Sequence, residues 1–185
     1  MTKKVLVPLA PGFEEIEAIT VIDILRRAGV EVTVAGTQPG VIEASRKTKH
    51  LPDCALDEAM ARADEFDMIV LPGGQPGTNN LRADPRVKTL VERLRARNKI
   101  TAAICAAPTV LSAFGVLRGR RATGHPGSRA LLLAGEVVDE RVVVDGLVVT
   151  SQSAGTAMEF AFKLVELLCG KEQAAEINQG VQARL

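Results

Sequence analysis

Cys105 closes the apolar stretch ITAAIC (Ile100 to Cys105) and is followed at once by Ala106, Ala107 and Pro108. Small neighbours permit the cramped strand-to-helix turn on which an exposed nucleophile sits. Proline suits a first helical turn because its missing N–H would be unpaired there. A thiol at a helix N-terminus feels the positive end of the helix dipole, which lowers its pKa and favours the thiolate. An inert buried cysteine fits the same position, since free cysteine is among the most buried residue types. Cys54 and Cys169 have weaker claims, and Cys169, ending an apolar helix before Gly170, reads as core.

Three further groups could serve such a thiol. Glu14, Glu15 and Glu17 stand where a helix begins, and the helix dipole alone accounts for acids there. Glu17, however, is flanked by Ile16 and Ala18 and lies on a different helical face from Glu14. Held beside a thiolate, its carboxyl would have a raised pKa and, when protonated, could donate a hydrogen bond to sulfur. Gly73 and Gly74 follow an apolar run and read either as a tight turn or as backbone donors. With the N–H of Ala106, their amides could form an oxyanion hole. His125, in ATGHPG, is one of only two histidines; it is either a hydrogen-bonded surface residue or a general acid/base.

These residues need elements to carry them. VLVPLA (Val5 to Ala10) is a continuous apolar run, as in a strand covered on both faces. Beyond Pro11-Gly12, the spacing of Ile16, Ile19, Ile22 and Leu25 predicts a helix with acids in its first turn, arginines in its last and Gly29 as its stop. VEVTVAG (Val30 to Gly36) completes a right-handed β-α-β unit. Strands follow at Asp67 to Gly74, Ile100 to Cys105 and near Ala122 to His125, with a hairpin within Val137 to Thr150. Helices are expected near Leu56 to Ala63, around Asp84 to Arg97, from Ala106 to Leu117, and from Thr156 to Leu168; the final segment is helical and then frayed. Such alternation, with no repeat or linker, predicts one domain over 1–185. Its fold class is α/β, a three-layer α/β/α sandwich around a doubly wound, mostly parallel sheet. Ligands of such sheets bind beyond the carboxyl ends of the strands, where all four candidate groups fall.

Composition removes several classes of function. With 23 basic and 22 acidic side chains and no Trp or Tyr, nothing favours nucleic acid or an acidic membrane surface. Three dispersed cysteines, no C-x-x-C and two histidines argue against zinc and disulfides and for a reducing compartment. No signal-type segment or long apolar run occurs, so a cytoplasmic location is expected.

The runs APGFEEIE, VLPGG, AAICAAP, GHP and TSQSAGT, in that order, resemble the ThiJ/PfpI family, and within it the branch of the Parkinson-disease protein deglycase and its bacterial homologues. The resemblance spans essentially the whole chain. It implies a flavodoxin-like homodimer, related in fold to the class I glutamine amidotransferases, that needs no cofactor. By motif, Cys105 becomes the nucleophile and oxidation sensor, Glu17 its protonated carboxyl partner and His125 the nearby imidazole. Gly73, Gly74 and Ala106 surround a bound oxygen, and Arg46, in ASR, matches a position that helps to bind anions. The implied activity is glutathione-independent glyoxalase or protein deglycase chemistry on methylglyoxal or its early glycation adducts. A redox sensor or chaperone switched by oxidation of Cys105, and a cysteine peptidase, are the alternatives. Two departures stand out. Ser153-Ala154-Gly155-Thr156 replaces the family's usual Gly-Pro-Gly-Thr, and no acid stands two residues after His125, which argues against amidotransferase chemistry.

Overall fold

Residues 2–185 are described by a computed structural model. Strand β1 (Lys4–Leu9), helix α1 (Glu15–Arg27) and strand β2 (Glu31–Gly36) form the expected parallel crossover, with Val5 opposite Val32 and Leu9 opposite Gly36. A small antiparallel ribbon follows, β3 (Ile42–Glu43) with β4 (Lys49–His50). Next come the edge strand β5 (Cys54–Ala55) and helix α2 (Leu56–Ala61). Strand β6 (Met68–Leu71) leads through α3 (Gly77–Ala83) and α4 (Pro85–Ala96) to β7 (Ile100–Ile104) and α5 (Pro108–Ala113). Strands β8 (Arg121–Ala122) and β9 (Glu136–Val137) pair with each other. The hairpin of β10 (Val142–Asp145) and β11 (Val148–Ser151) then precedes α6 (Ala157–Cys169) and α7 (Lys171–Val181).

The central sheet has the order β10-β11-β7-β6-β1-β2-β5, and every pairing is parallel except that of β10 with β11. Apolar side chains of the strands alternate between two cores. One contains Phe13, Ile24 and Leu25 of the α1 region with Phe160 and Leu164 of α6; the other contains Leu56, Leu81, Leu90 and Leu111 from α2 to α5. Coverage of both faces explains why the strands read as unbroken apolar runs. The chain winds from β1 outward to β2 and β5, then returns to β6, β7 and β11 on the other side. Carboxyl ends of β1, β6 and β7 therefore meet at the reversal point of a doubly wound sheet, where such folds bind ligands.

Four details depart from the sequence reading. Helix α3 was not expected: GTNNLRA buries one large apolar side chain, Leu81, and so has no periodicity to detect. Helix α5 ends at Ala113 rather than near Leu117, because Gly115 turns the chain at φ 73°. Strand β8 stops at Ala122 and belongs to a separate two-stranded ribbon, so His125 is not at the end of a central strand. On α1, the buried face is Glu17, Ala18, Val21, Ile22, Ile24 and Leu25, whereas Ile16 and Ile19 are 55% and 39% exposed. An apolar pair outside and a carboxylic acid inside invert the usual preference.

Candidate active site

Cys105 follows β7 with φ 65°, a left-handed conformation that L-residues rarely adopt. Two long-range hydrogen bonds hold it there. Its N–H donates to the Ser151 carbonyl (3.0 Å), continuing the β7–β11 ladder, and its carbonyl accepts from the His125 N–H (2.8 Å). Beyond it, the Ala107 N–H donates to Ile104 O (3.0 Å) and the Thr109 hydroxyl to Ala106 O (2.7 Å), closing the turn into α5. The thiol is half-buried.

Glu17 reaches this turn from α1 and is 1% exposed. Glu14 caps the helix and accepts the Glu17 N–H at 2.9 Å, which fixes the first turn. The Gly73 N–H, at the end of β6, donates to Glu17 Oε2 at 2.9 Å, and the backbone amide of Ala154, after β11, lowers the proton affinity of the same carboxyl. The remaining neighbour is the Cys105 thiol, hydrogen-bonded to the carboxyl. Among the described residues no cation pairs with Glu17. Burial pushes its carboxyl up to about 7, against the pull of Cys105 and the two amides.

Burial, then the charge of Glu17, pushes the Cys105 thiol up to about 12; the amides of Ala106 and Gly74 pull it down by less. The expected lowering by a helix N-terminus is therefore outweighed. Between about 7 and about 12 the pair holds a single proton, and the sulfur is an anion only while that proton sits on Glu17. Thiolate formation here is a proton transfer to a carboxylate.

Gly73 is needed for this approach. A Cβ built there would lie 2.5 Å from Glu17 Oε2, 2.7 Å from the Cys105 Cβ and 2.9 Å from the Ile104 carbonyl. The sequence reading gave the Gly73 amide to a bound oxygen, but that N–H is committed to Glu17; the Gly74 and Ala106 amides face the sulfur instead. His125 is exposed, and its Nδ1 accepts the Gly127 N–H at 3.1 Å, so the neutral ring carries its proton on Nε2. The imidazole makes no hydrogen bond to a carboxylate. Arg46 is anchored through its backbone, whose N–H donates to Glu15 Oε1 (2.7 Å), while Ser45 and Thr48 hold the same carboxylate. Its exposed guanidinium has no hydrogen bond or ion pair among the described residues, and nothing brings it into contact with Cys105.

The chain matches the DJ-1/PfpI family over residues 3–167. It belongs to that family. Protein dj-1beta of Drosophila melanogaster is 44% identical, with 98% of this chain and 97% of that protein aligned. The crystal structure of Drosophila melanogaster DJ-1beta superposes with a TM-score of 0.95 at 42% identity, covering both chains fully. The glutathione-independent glyoxalase DJR-1.2 of Caenorhabditis elegans is 36% identical over 92% of this chain and 91% of its own. A DJ-1/PfpI fold is thus shared across the whole length.

The geometry yields two expectations. Gly73→Ala displaces Glu17 or Cys105 and should slow Cys105 alkylation at least tenfold with little loss of helical structure; an unchanged rate would contradict the close approach. Because the Glu17 carboxyl is raised from 4.5 to about 7, folding favours its protonated form. That contribution is complete below pH 4.5 and is lost as pH rises to about 7. In urea unfolding, wild type should lose about 3 kcal/mol across this interval that Glu17→Gln does not lose. Parallel pH curves for the two proteins would contradict the shift.

Proposed function

We propose that the chain is a cysteine-dependent, glutathione-independent glyoxalase of the DJ-1/PfpI family, acting on small 2-oxoaldehydes such as methylglyoxal and, by the same steps, on early glycation adducts. The observation that carries this reading is the cation-free pairing of Glu17 with Cys105, in which the two groups hold one proton between them above about pH 7. Nucleophile, proton carrier and oxygen-stabilising donors are what addition to an aldehyde requires. The name of the Caenorhabditis elegans relative supports the same chemistry.

The reaction follows from who holds the proton. With the proton on Glu17, the Cys105 sulfur attacks the aldehyde carbon, a C–S bond forms, and the aldehyde oxygen takes the proton to give a hemithioacetal. Glu17, now a carboxylate, removes the hydrogen from that carbon while the adjacent ketone oxygen is protonated, with the His125 Nε2–H as donor. The resulting enediol is reprotonated at the former ketone carbon by Glu17, and its remaining hydroxyl proton returns to His125, leaving a hydroxyacyl thioester. Water hydrolyses the thioester to the 2-hydroxy acid and restores the thiol. No oxidant or cofactor enters the balance: substrate and water have the atoms of the product. A cysteine peptidase is less well supported, because no carboxylate orients His125.

The partner proposed on the protein side is a second copy of the chain. Ile16 and Ile19 project from α1 beside a groove of about 610 Å³ that also involves His50, Met158 and Val181. An isologous contact across this face would cover the apolar pair. Ile19→Glu should halve the sedimentation mass; a monomeric wild type would contradict the contact. No helix among the described residues is long and apolar enough to cross a membrane.

Lactate release from methylglyoxal without glutathione tests the activity. Cys105→Ala should abolish it, and Glu17→Gln should lower kcat by at least a hundredfold, the usual scale of a lost general acid/base. Turnover by Cys105→Ala equal to wild type would overturn the proposal.

A further inference from the structure

The His125 imidazole projects from an exposed turn, and its hydrogen bond among the described residues comes from within that turn: the Gly127 N–H donates to Nδ1 at 3.1 Å. Whatever shapes the turn therefore decides where the ring points and which nitrogen carries its proton. One residue closes the turn twice. Pro126–Leu131 form a 3-10 helix in which the Arg129 N–H donates to the His125 carbonyl (3.1 Å), beside the Ser128 N–H (2.8 Å) and hydroxyl (3.0 Å). The Arg129 side chain then folds back over the start of the turn, and its Nε–H donates to the Gly124 carbonyl at 3.0 Å. The carbonyls of Gly124 and His125 are thus both tied to Arg129.

The far end of the guanidinium is anchored as well. Its Nη2 donates to Asp139 Oδ1 at 2.6 Å, and the same oxygen accepts the Gln152 Nε2–H at 2.7 Å. Gln152 follows Ser151, whose carbonyl accepts the Cys105 N–H, while the His125 N–H donates to the Cys105 carbonyl. Arg129, Asp139 and Gln152 therefore join the two segments that grip the cysteine. Arg129 is half-buried, whereas 80% of the Asp139 side chain is exposed. An exposed ion pair adds little to stability. Together with the Gly124 carbonyl, however, it gives the planar guanidinium fixed partners at two of its donors.

We propose that Arg129 is a positioning residue for the active site: by clasping the turn from Gly124 to Arg129 it keeps the Gly127 amide on His125 Nδ1 and so presents the Nε2–H to the substrate. The inference rests on the proposed role of His125 as proton donor to the ketone oxygen, and adds the group that orients it. Among the described residues no carboxylate stands behind this imidazole, so a backbone amide takes that place. A donor on Nδ1 requires that nitrogen to be the unprotonated one, and the turn thereby selects the tautomer that donates from Nε2.

Arg129→Leu removes both side-chain bonds and no backbone donor. In lactate release from methylglyoxal its kcat should fall about tenfold, within the scale of a slightly misplaced catalytic group. Alkylation of Cys105 by iodoacetamide, which needs the sulfur and no imidazole, should stay within about twofold of wild type. Asp139→Ala, at an exposed position that spares the fold, should lower kcat about threefold with the same unchanged alkylation, the scale of one exposed charged contact. Added to His125→Ala, Arg129→Leu should remove no further activity, since nothing is left for the turn to orient.

An undiminished kcat in Arg129→Leu, alkylation that falls in step with kcat, or a further loss of the same size in the His125→Ala background would each overturn the inference while the proposed reaction stands. A His125→Ala protein as active as wild type would overturn the reading of His125, and the inference with it.

Discussion

Among the described residues, a carboxyl group with no cation paired to it and a half-buried thiol lie together at the reversal point of the sheet. Both are desolvated, and each raises the proton affinity of the other when charged, so two negative charges cannot coexist there near neutral pH. Everything else at the site regulates where the remaining charge resides. The Gly73 N–H donates to the carboxyl and the Ala154 amide lowers its proton affinity, whereas the Gly74 and Ala106 amides lower that of the sulfur. The site is a balance between two acceptors, each supplied with backbone donors.

The fold creates this balance by bringing four segments to one point. Glu17 comes from the first turn of α1, Gly73 from the end of β6, Cys105 from the end of β7 and Ala154 from the loop after β11. Parallel pairing of β6, β7 and β11 fixes their relative height, since a slip of one residue would turn every side chain to the opposite face. The left-handed turn at Cys105 is held by bonds to Ser151 and His125, from two different segments. Such strain persists only where the surroundings over-determine it, and at functional sites it orients a reactive group.

Much of this was legible in the residues. Unbroken apolar runs announced covered parallel strands, and the Cys-Ala-Ala-Pro run announced the turn, because small residues and an early proline suit it. Glu17 was set apart from its acidic neighbours by its apolar flanks, Ile16 and Ala18. Three things were hidden. The ionisation of Cys105 depends on burial, which no local pattern encodes, so the lowering expected from the helix dipole is outweighed. The roles of backbone amides at Gly73 and Ala154 leave no side-chain signature; the unusual Ser-Ala-Gly-Thr run marked the second only as a changed loop. Strand β8 could not be assigned to its separate ribbon from a two-residue segment, so His125 was placed at the wrong kind of edge.

Infrared spectroscopy of the protonated carboxyl group reads the shared proton itself. Wild type should show a carboxylic-acid C=O band, absent from Glu17→Gln, that disappears with a midpoint near pH 7 and changes frequency when the Cys105 sulfur is alkylated. A Glu17 band that titrates in the ordinary carboxylate range, or one indifferent to the state of Cys105, would contradict the sharing of a proton between the two.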